Sequence, residues 1–176
     1  MIKSFNEIPN VSNALIICDF DETILHFPCG LGKRQWWRKT FDTYFKEHLD
    51  YERADEEALA EWTLHAQTAP YEHTDEDGLR QLFQRASLHK NTIICVTARS
   101  EAMAKTTERQ CETLGIKFDH IFYTSTRSKG SVILELLDVL PKHEMIVFVD
   151  DLQRNIDDVK SALASYAHAC YLFNSH

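Results

Sequence analysis

The sequence lacks the features that place a protein in a membrane or mark it for export. Its 176 residues contain no apolar run as long as a membrane span. The first seven residues do not show the charged start and apolar stretch of a signal peptide. A formal net charge of −8 argues against a nucleic-acid backbone or an anionic membrane as the main partner. We therefore expect a cytoplasmic protein whose main partner is neither a nucleic acid nor a membrane.

Cysteine and histidine patterns typical of disulfides or zinc sites are also missing. The five cysteines are odd in number and include no CxxC pair, and Cys18, Cys95 and Cys170 lie within apolar, strand-like segments. A free thiol in such a segment behaves as a small hydrophobic group, so we expect reduced cysteines. The nine histidines show no HxH or HExxH spacing, which gives a zinc site little support.

What the sequence does contain is an alternation of strand-like and helical segments, in a chain long enough for one domain with a small insertion. The strand-like segments are residues 14–18, 92–96, 120–123, 145–149 and 169–173. Strands that alternate with helices predict an α/β fold, a Rossmann-like parallel sheet with helices on both faces.

Three helices are predicted between the later strands. The first has Ser100 as its N-cap and ends before Gly115, which suits the left-handed residue after a helix. The second spans residues 131–140 and stops at a proline, and the third spans residues 155–165.

The interval between the first two strands is too long for a single crossover. Its last part, opened by Thr74 with acids in the first turn, predicts a helix that covers the sheet. The earlier part has apolar residues at helical spacing and predicts two further helices. We therefore expect a core made of residues 1–26 and 74–176, with a small helical insertion at residues 27–73 after the first strand.

Polar side chains follow the carboxyl ends of four predicted strands, where open α/β sheets bind their ligands. They are Asp19 and Asp21 after the first strand, Thr97 after the second, Lys129 after the third, and Asp150 with Asp151 after the fourth. Paired acids at a strand end repel each other, which indicates that they bind a cation. A hard divalent ion such as Mg²⁺ takes oxygen ligands and often accompanies substrate phosphates.

In this order, these residues resemble the four motifs of the haloacid dehalogenase (HAD) superfamily, whose members are mostly Mg²⁺-dependent phosphatases and phosphotransferases. The resemblance covers roughly residues 14–21 and 91–173. Motif one is Asp-Phe-Asp-Glu-Thr at residues 19–23, and the insertion lies where the family places a cap. Glu22 departs from the pattern, because many members carry glycine at that position.

The resemblance implies a two-step phosphoryl transfer. Asp19 would be the nucleophile that forms an aspartyl-phosphate. Asp21 would protonate the leaving oxygen and then help to activate water. Thr97 would hydrogen-bond a phosphoryl oxygen, and Lys129 would neutralise that oxygen and restrain Asp19.

The same resemblance implies Mg²⁺ as the cofactor. Its ligands would be the carboxylate of Asp19, the backbone carbonyl of Asp21, Asp150, and Asp151 directly or through water. Spacing leaves open which of the last two carboxylates binds the ion directly.

Several alternatives stay open from the residues alone. Arg127 competes with Lys129 for the phosphate-neutralising role. Asp150 and Asp151 could simply cap the following helix, because acids are favoured near a helix N-terminus. Asn155 could orient the loop that carries these acids, or it could only begin that helix.

The leading hypothesis is a Mg²⁺-dependent phosphohydrolase that acts on a phosphomonoester, either a small metabolite or a phosphoprotein. A phosphotransferase or phosphomutase is the second enzyme hypothesis, and a low-turnover binding or regulatory protein with the same fold is the third. In the insertion, the cations and tryptophans of residues 32–39 could bind a second phosphate or a base, although helix packing explains them better.

Overall fold

The computed structural model describes residues 1–174, which form two compact units. The first unit combines Met1–Leu25 with the chain from His73 onward, and the second unit is His26–Glu72. In chain order the elements are β1 (Ala14–Cys18), β2 (Leu25–His26), α1 (Arg34–His48), α2 (Tyr51–Ala66), β3 (Glu72–His73), α3 (Glu76–Leu88), β4 (Thr92–Thr97), α4 (Ala104–Leu114), β5 (His120–Tyr123), α5 (Lys129–Val139), β6 (Met145–Asp150), α6 (Gln153–Ala162) and β7 (His168–Leu172). Short 3₁₀ helices at Phe5–Glu7 and Glu101–Met103 complete the set.

The main sheet belongs to the first unit and is entirely parallel. Its strand order is β5-β4-β1-β6-β7, and each neighbouring pair runs in the same direction. The chain therefore proceeds outward from β1 on one side and then returns to build the other side. This arrangement confirms the predicted α/β fold with a parallel sheet flanked by helices, and it places the switch in strand order beside β1.

The register of the sheet brings the carboxyl ends of its central strands to one level. Cys18, the last residue of β1, is opposite Cys95 of β4 and Val149 of β6. Past this level β4 continues to Thr97 and β6 continues to Asp150, whereas β1 ends at Cys18. Asp19 follows directly from β1, and its backbone N–H donates to the carbonyl of Val149 at 2.9 Å.

One face of the sheet is covered by α5 and α6. Leu15 and Ile17 of β1 and Phe148 of β6 form a buried cluster with residues of both helices, such as Ile133 and Ile156. Alternate residues of these strands point to the opposite face. Crossovers between parallel strands are right-handed as a rule, so we assign α3 and α4 to that opposite face.

Several predicted helix ends differ from the observed ones because local capping decides them. α3 is capped by Asp75 rather than Thr74, since the Asp75 carboxylate accepts a hydrogen bond from the N–H of Gly78. α5 begins at Lys129, two residues earlier than predicted, because Ser128 caps it by accepting from the N–H of Ser131. This earlier start places Lys129 in the first turn of the helix.

The second unit is a hairpin of two helices. Small residues of α2 are buried within it, and Trp62 of α2 stacks on Trp37 of α1. The Tyr44 hydroxyl of α1 donates to the carboxylate of Glu61 on α2 at 2.8 Å. The helical spacing of apolar residues in the sequence continues to Leu49, but Leu49 lies beyond the end of α1 in a left-handed conformation and is 80% exposed.

Within residues 1–174, no helix is both long and apolar enough to cross a membrane. The five cysteines are free, and Cys18 and Cys95 are buried in the central strands. Burial raises the pKa of Cys18 to about 12, so this thiol stays protonated and packs as an apolar group.

Candidate active site

Acidic residues at the ends of β1 and β6 converge with Lys129, the first residue of α5, at the carboxyl edge of the sheet. Asp19, Asp150 and Asp151 form a group in which one carboxylate oxygen from each residue lies within 4.8 Å of the others. Oxygen donors in such a group match the ligands that Mg²⁺ takes in proteins. The donor set therefore fits a hard divalent cation.

The Asp19 carboxylate is held through both of its oxygens. Lys129 Nζ donates to Oδ1, and the Thr23 hydroxyl donates to Oδ2 at 3.2 Å. The side chain is buried, with only 6% of the residue exposed. These contacts fix the orientation of the carboxylate at the end of β1.

Lys129 lies between two acids that are far apart in the sequence. Besides Asp19, its ammonium group donates to Asp150 Oδ2 at 2.7 Å, and 4% of its side chain is exposed. Gly130 lets α5 approach α6 closely, because a Cβ there would lie 3.0 Å from the backbone carbonyl oxygen of Asp158. The N–H of Gly130 also donates to the Asp158 carboxylate at 2.7 Å, which fixes the first turn of α5.

Asp150 is surrounded by hydrogen-bond donors. In addition to Lys129, its carboxylate accepts from the backbone N–H of Leu152 at 2.9 Å. The side-chain amide of Asn155 donates to both carboxylate oxygens at 3.0 Å. The structure therefore supports the orienting role for Asn155, which sequence spacing alone had left open.

Electrostatic conditions in the cluster are set by burial and by the proximity of like charges. Burial raises the pKa of Asp19 to about 7, because the attraction of Lys129 only partly offsets desolvation and the charge of Asp150 adds to the rise. Burial and the charges of Asp19 and Asp150 raise the pKa of Asp151 to about 8. Burial also opposes the charged form of Lys129, but the two acids it contacts more than offset this effect and raise its pKa.

Thr97 ends β4 on the strand next to β1. It is fully buried, its hydroxyl accepts from the N–H of Arg99 at 3.2 Å, and its carbonyl accepts from the N–H of Thr124 at 2.8 Å. Its place on a strand adjacent to Asp19 is compatible with the predicted contact to a phosphoryl oxygen. That role stays a prediction.

The Asp21 side chain has a different environment from the other predicted acids. Among the described residues it is not part of the three-carboxylate group, and the guanidinium of Arg99 donates to both of its oxygens. The Nε–Oδ2 distance is 2.9 Å and the Nη2–Oδ1 distance is 2.7 Å. The predicted contribution of Asp21 to the metal, through its backbone carbonyl, stays a prediction.

Glu22 adopts a backbone conformation that explains why glycine suits this position. Its φ is 59°, in the left-handed region that side chains with a Cβ disfavour. The turn that requires this angle is closed by the N–H of Glu22 donating to the carbonyl of Leu25 at 2.7 Å. The glutamate side chain is therefore accommodated at the expense of local strain.

Lys129 and Arg127 were the two candidates for the phosphate-neutralising role, and of these two only Lys129 contacts the acids. Arg127 is exposed at the surface and pairs with Glu135 of α5. Sequence reasoning missed Arg99, although it lies only two residues after Thr97. A buried arginine directly after a strand end could have suggested a carboxylate partner, but the sequence carried no sign of which one.

The raised pKa values predict that the chelator-treated protein is less stable at alkaline than at acidic pH. An unfolded aspartate titrates near pH 4, whereas Asp19 and Asp151 titrate at about 7 and about 8 in the fold. Between those values the native state binds more protons than the unfolded state, so the free energy of unfolding falls as pH rises. We expect the melting temperature to fall by several degrees from pH 5.5 to 8, measured by circular dichroism in EDTA. A melting temperature that rises over this range would contradict the inference that burial raises the pKa values of these two acids.

The comparisons with known proteins agree with the architecture. The sequence matches the family described as "Protein of unknown function (DUF2608)" over residues 2–121 and 120–174. No curated protein sequence matches the chain. The structural similarities below involve proteins of low sequence identity and therefore concern the fold.

Solved structures that resemble this chain include the following three. A haloacid dehalogenase-like hydrolase from Streptococcus pneumoniae is 14% identical, with a TM-score of 0.59 over 88% of this chain and 82% of the other. The HAD domain of the effector protein Lem4 from Legionella pneumophila, an inactive mutant, is 13% identical, with a TM-score of 0.53 over 92% and 85%. A putative beta-phosphoglucomutase from Thermotoga maritima is 15% identical, with a TM-score of 0.50 over 85% and 81%.

What these structures share with the present chain is the fold. The family match spans nearly the whole sequence. The chain belongs to the DUF2608 family, and its fold is that of the HAD-like proteins.

Proposed function

We propose that the protein is a Mg²⁺-dependent phosphohydrolase that acts on phosphomonoesters through an aspartyl-phosphate at Asp19. The observation that carries the proposal is the group of Asp19, Asp150 and Asp151 around one point, with Lys129 bonded to two of them. A purely structural sheet end gains nothing from three buried or half-buried acids, since like charges repel. A cation and an anionic substrate explain them together.

In the first step, Asp19 supplies the nucleophile. One carboxylate oxygen attacks phosphorus and forms a new O–P bond, while the bond between phosphorus and the leaving oxygen breaks. Lys129 and Thr23 hold the carboxylate in a single orientation during this attack. Lys129 also places a positive charge next to the transferring group, where negative charge must be stabilised.

Asp21 and Thr97 would complete the site. Asp21 donates a proton to the leaving oxygen in the first step, and in the second step it takes a proton from the water that attacks phosphorus. The second step breaks the bond between Asp19 and phosphorus and releases inorganic phosphate. The Thr97 hydroxyl would donate a hydrogen bond to a phosphoryl oxygen.

Asp19 and Asp151 would bind the magnesium ion directly, with Asp150 beside them, and the bound ion would neutralise charge on the carboxylate nucleophile and the phosphate. The hydrogen bonds favour Asp151 as the direct ligand over Asp150. Both oxygens of Asp150 already accept from Lys129, Leu152 and Asn155. Asp151 is half-buried and belongs to the same oxygen group, so its carboxylate is the better placed to bind a cation.

Replacing Asp151 should therefore weaken Mg²⁺ binding, whereas replacing Asp150 should lower stability. Asp151→Asn should weaken Mg²⁺ binding by more than about 10-fold, because it removes a direct carboxylate ligand, and even outer-shell partners of such ligands contribute about 10- to 100-fold. Asp150→Asn should chiefly reduce the melting temperature, because it disturbs the buried contact with Lys129. Calorimetric titration of Mg²⁺ and thermal unfolding would measure the two effects. If Asp150→Asn weakens Mg²⁺ binding more than Asp151→Asn does, the assignment is reversed.

The function itself is tested by phosphate release from para-nitrophenyl phosphate and from a panel of phosphorylated metabolites, nucleotides and phosphopeptides. We expect turnover that requires Mg²⁺, stops with EDTA and returns when Mg²⁺ is restored. Added alcohols and sugars distinguish hydrolysis from transfer, since phosphorylated acceptors among the products would identify a phosphotransferase. Binding of a partner without phosphate release from any substrate would instead support a regulatory protein and contradict the proposal.

A further inference from the structure

A buried polar network joins Asp21 to α4. The side chain of Arg99 is 0% exposed. Its guanidinium donates two hydrogen bonds to the Asp21 carboxylate. Nη1 also donates to the Thr107 hydroxyl at 3.0 Å and to Gln110 Oε1 at 2.6 Å. The Phe20 ring packs against the guanidinium, with its centroid 4.5 Å from Arg99 Cζ.

The network is anchored in the interior, and among the residues named above Asp21 is the one that reaches the solvent. Thr107 and Gln110 are 0% exposed, and the Thr107 hydroxyl donates onward to the carbonyl of Met103 at 3.0 Å. Asp21 has 27% of its side chain exposed. Two residues of α4 therefore hold Nη1 of the guanidinium, while Nε and Nη2 donate to a carboxylate at the edge of the sheet.

Stability alone does not account for this arrangement. Removing a charged group from water is costly, and well-packed apolar residues often replace a buried ion pair without loss of stability. A bidentate pair of guanidinium and carboxylate instead provides geometric restraint, because two parallel hydrogen bonds fix the plane of the carboxylate. The arrangement thus points to orientation of Asp21.

We propose that Arg99 is a positioning residue that orients the Asp21 carboxylate for proton exchange, and that Thr107 and Gln110 orient Arg99. The inference rests on the proposed function, since Asp21 exchanges a proton only if phosphoryl transfer takes place. Each carboxylate oxygen has two acceptor sites. The guanidinium uses one site on each, so a second site remains for the proton that moves to or from the substrate.

Positioning matters most when the leaving group needs a proton. A strongly basic leaving oxygen, such as that of phenyl phosphate, gains more from an acid than the weakly basic oxygen of para-nitrophenyl phosphate. General acid catalysis contributes about 10²- to 10⁴-fold, and misplacement by about 1 Å can remove about 10²-fold of the rate. A misplaced Asp21 should therefore slow the first substrate much more than the second.

The experiment compares kcat and KM for the two aryl phosphates in the wild type, Arg99→Lys, Gln110→Leu, Asp21→Asn and the double variant Arg99→Lys/Asp21→Asn. Lysine keeps the charge but cannot make the two parallel bonds. Arg80→Lys is the matched control, because Arg80 is an exposed arginine of α3 that pairs with Asp77. Circular dichroism tests whether each variant is folded. If Arg99→Lys does not fold, Gln110→Leu decides the outcome.

We expect Arg99→Lys to lower kcat for phenyl phosphate about 10²-fold, with a much smaller loss for para-nitrophenyl phosphate and little change in KM. Gln110→Leu should show the same substrate dependence with a smaller loss. In the Asp21→Asn background, Arg99→Lys should cause almost no further loss, because the two residues act as a unit.

Two results would overturn the inference. If Arg99→Lys lowers kcat by the same factor for both substrates, and does so again in the Asp21→Asn background, Arg99 serves only the fold. Full activity of the folded Arg99→Lys and Gln110→Leu variants would show that Asp21 needs no such restraint. Both results leave the proposed function intact if the wild type is active, whereas a wild type without turnover overturns the proposed function and this inference together.

Discussion

Asp19→Asn should lose at least about 10³-fold in turnover while the protein remains folded. The amide has nearly the same shape as the carboxylate but is a far weaker nucleophile, so the aspartyl-phosphate does not form. The contact with Lys129 is retained in part, because the amide oxygen can still accept a hydrogen bond. Phosphate release in saturating Mg²⁺ measures the effect.

The same variant should be at least as stable as the wild type at pH 8. Burial raises the pKa of Asp19 to about 7, so at pH 8 the wild type retains a charge that burial disfavours. Asparagine removes that charge. The matched control is Asp138→Asn, an exposed acid of α5, which should change neither turnover nor the melting temperature. Undiminished turnover by Asp19→Asn would show that the nucleophile has been assigned wrongly.

Lys129→Met should damage both activity and stability. Turnover should fall by about 10²- to 10³-fold, because the variant lacks a cation next to the developing charge. Removing one member of a buried charged contact destabilises a protein by about 3–5 kcal/mol. Here Asp19 and Asp150 would face each other without the ammonium group that bonds to both.

The stability loss in Lys129→Met should depend on pH. At pH 8 in EDTA the acids are largely ionised and repel each other. At pH 5.5 the native state takes up protons more readily than the unfolded state, so the loss becomes smaller. Urea unfolding at both pH values measures the difference, with Lys105→Met of α4 as the exposed control. A loss that is equal at the two pH values would argue against electrostatic repulsion between the acids.

Much of the fold could be predicted because its signals are local. Each of the five strands of the main sheet lies on a predicted apolar segment, and the observed bounds differ from the predicted ones by one residue at most at either end. Helix ends were less certain, since Asp75 and Ser128 act through individual side-chain hydrogen bonds. Such bonds depend on details that periodicity does not contain.

The candidate site was predictable only in outline. Consecutive strand ends of a parallel sheet lie at one edge, so the order of Asp19, Thr97, Lys129 and Asp150 already indicated a common location. Their catalytic and metal-binding roles stay predictions. The choice of Lys129 over Arg127 as the neighbour of Asp19 required the position of α5, which follows from its packing on α6.

The sequence by itself determined the alternation of strands and helices and the polar residues at each strand end, because apolar periodicity and backbone geometry act over a few residues. The tertiary structure decided which of those residues touch. Arg99 reaches Asp21 across 78 positions of the sequence, and Lys129 reaches Asp19 across 110. Contacts over such separations depend on strand order, register and helix packing, which are properties of the whole folded unit.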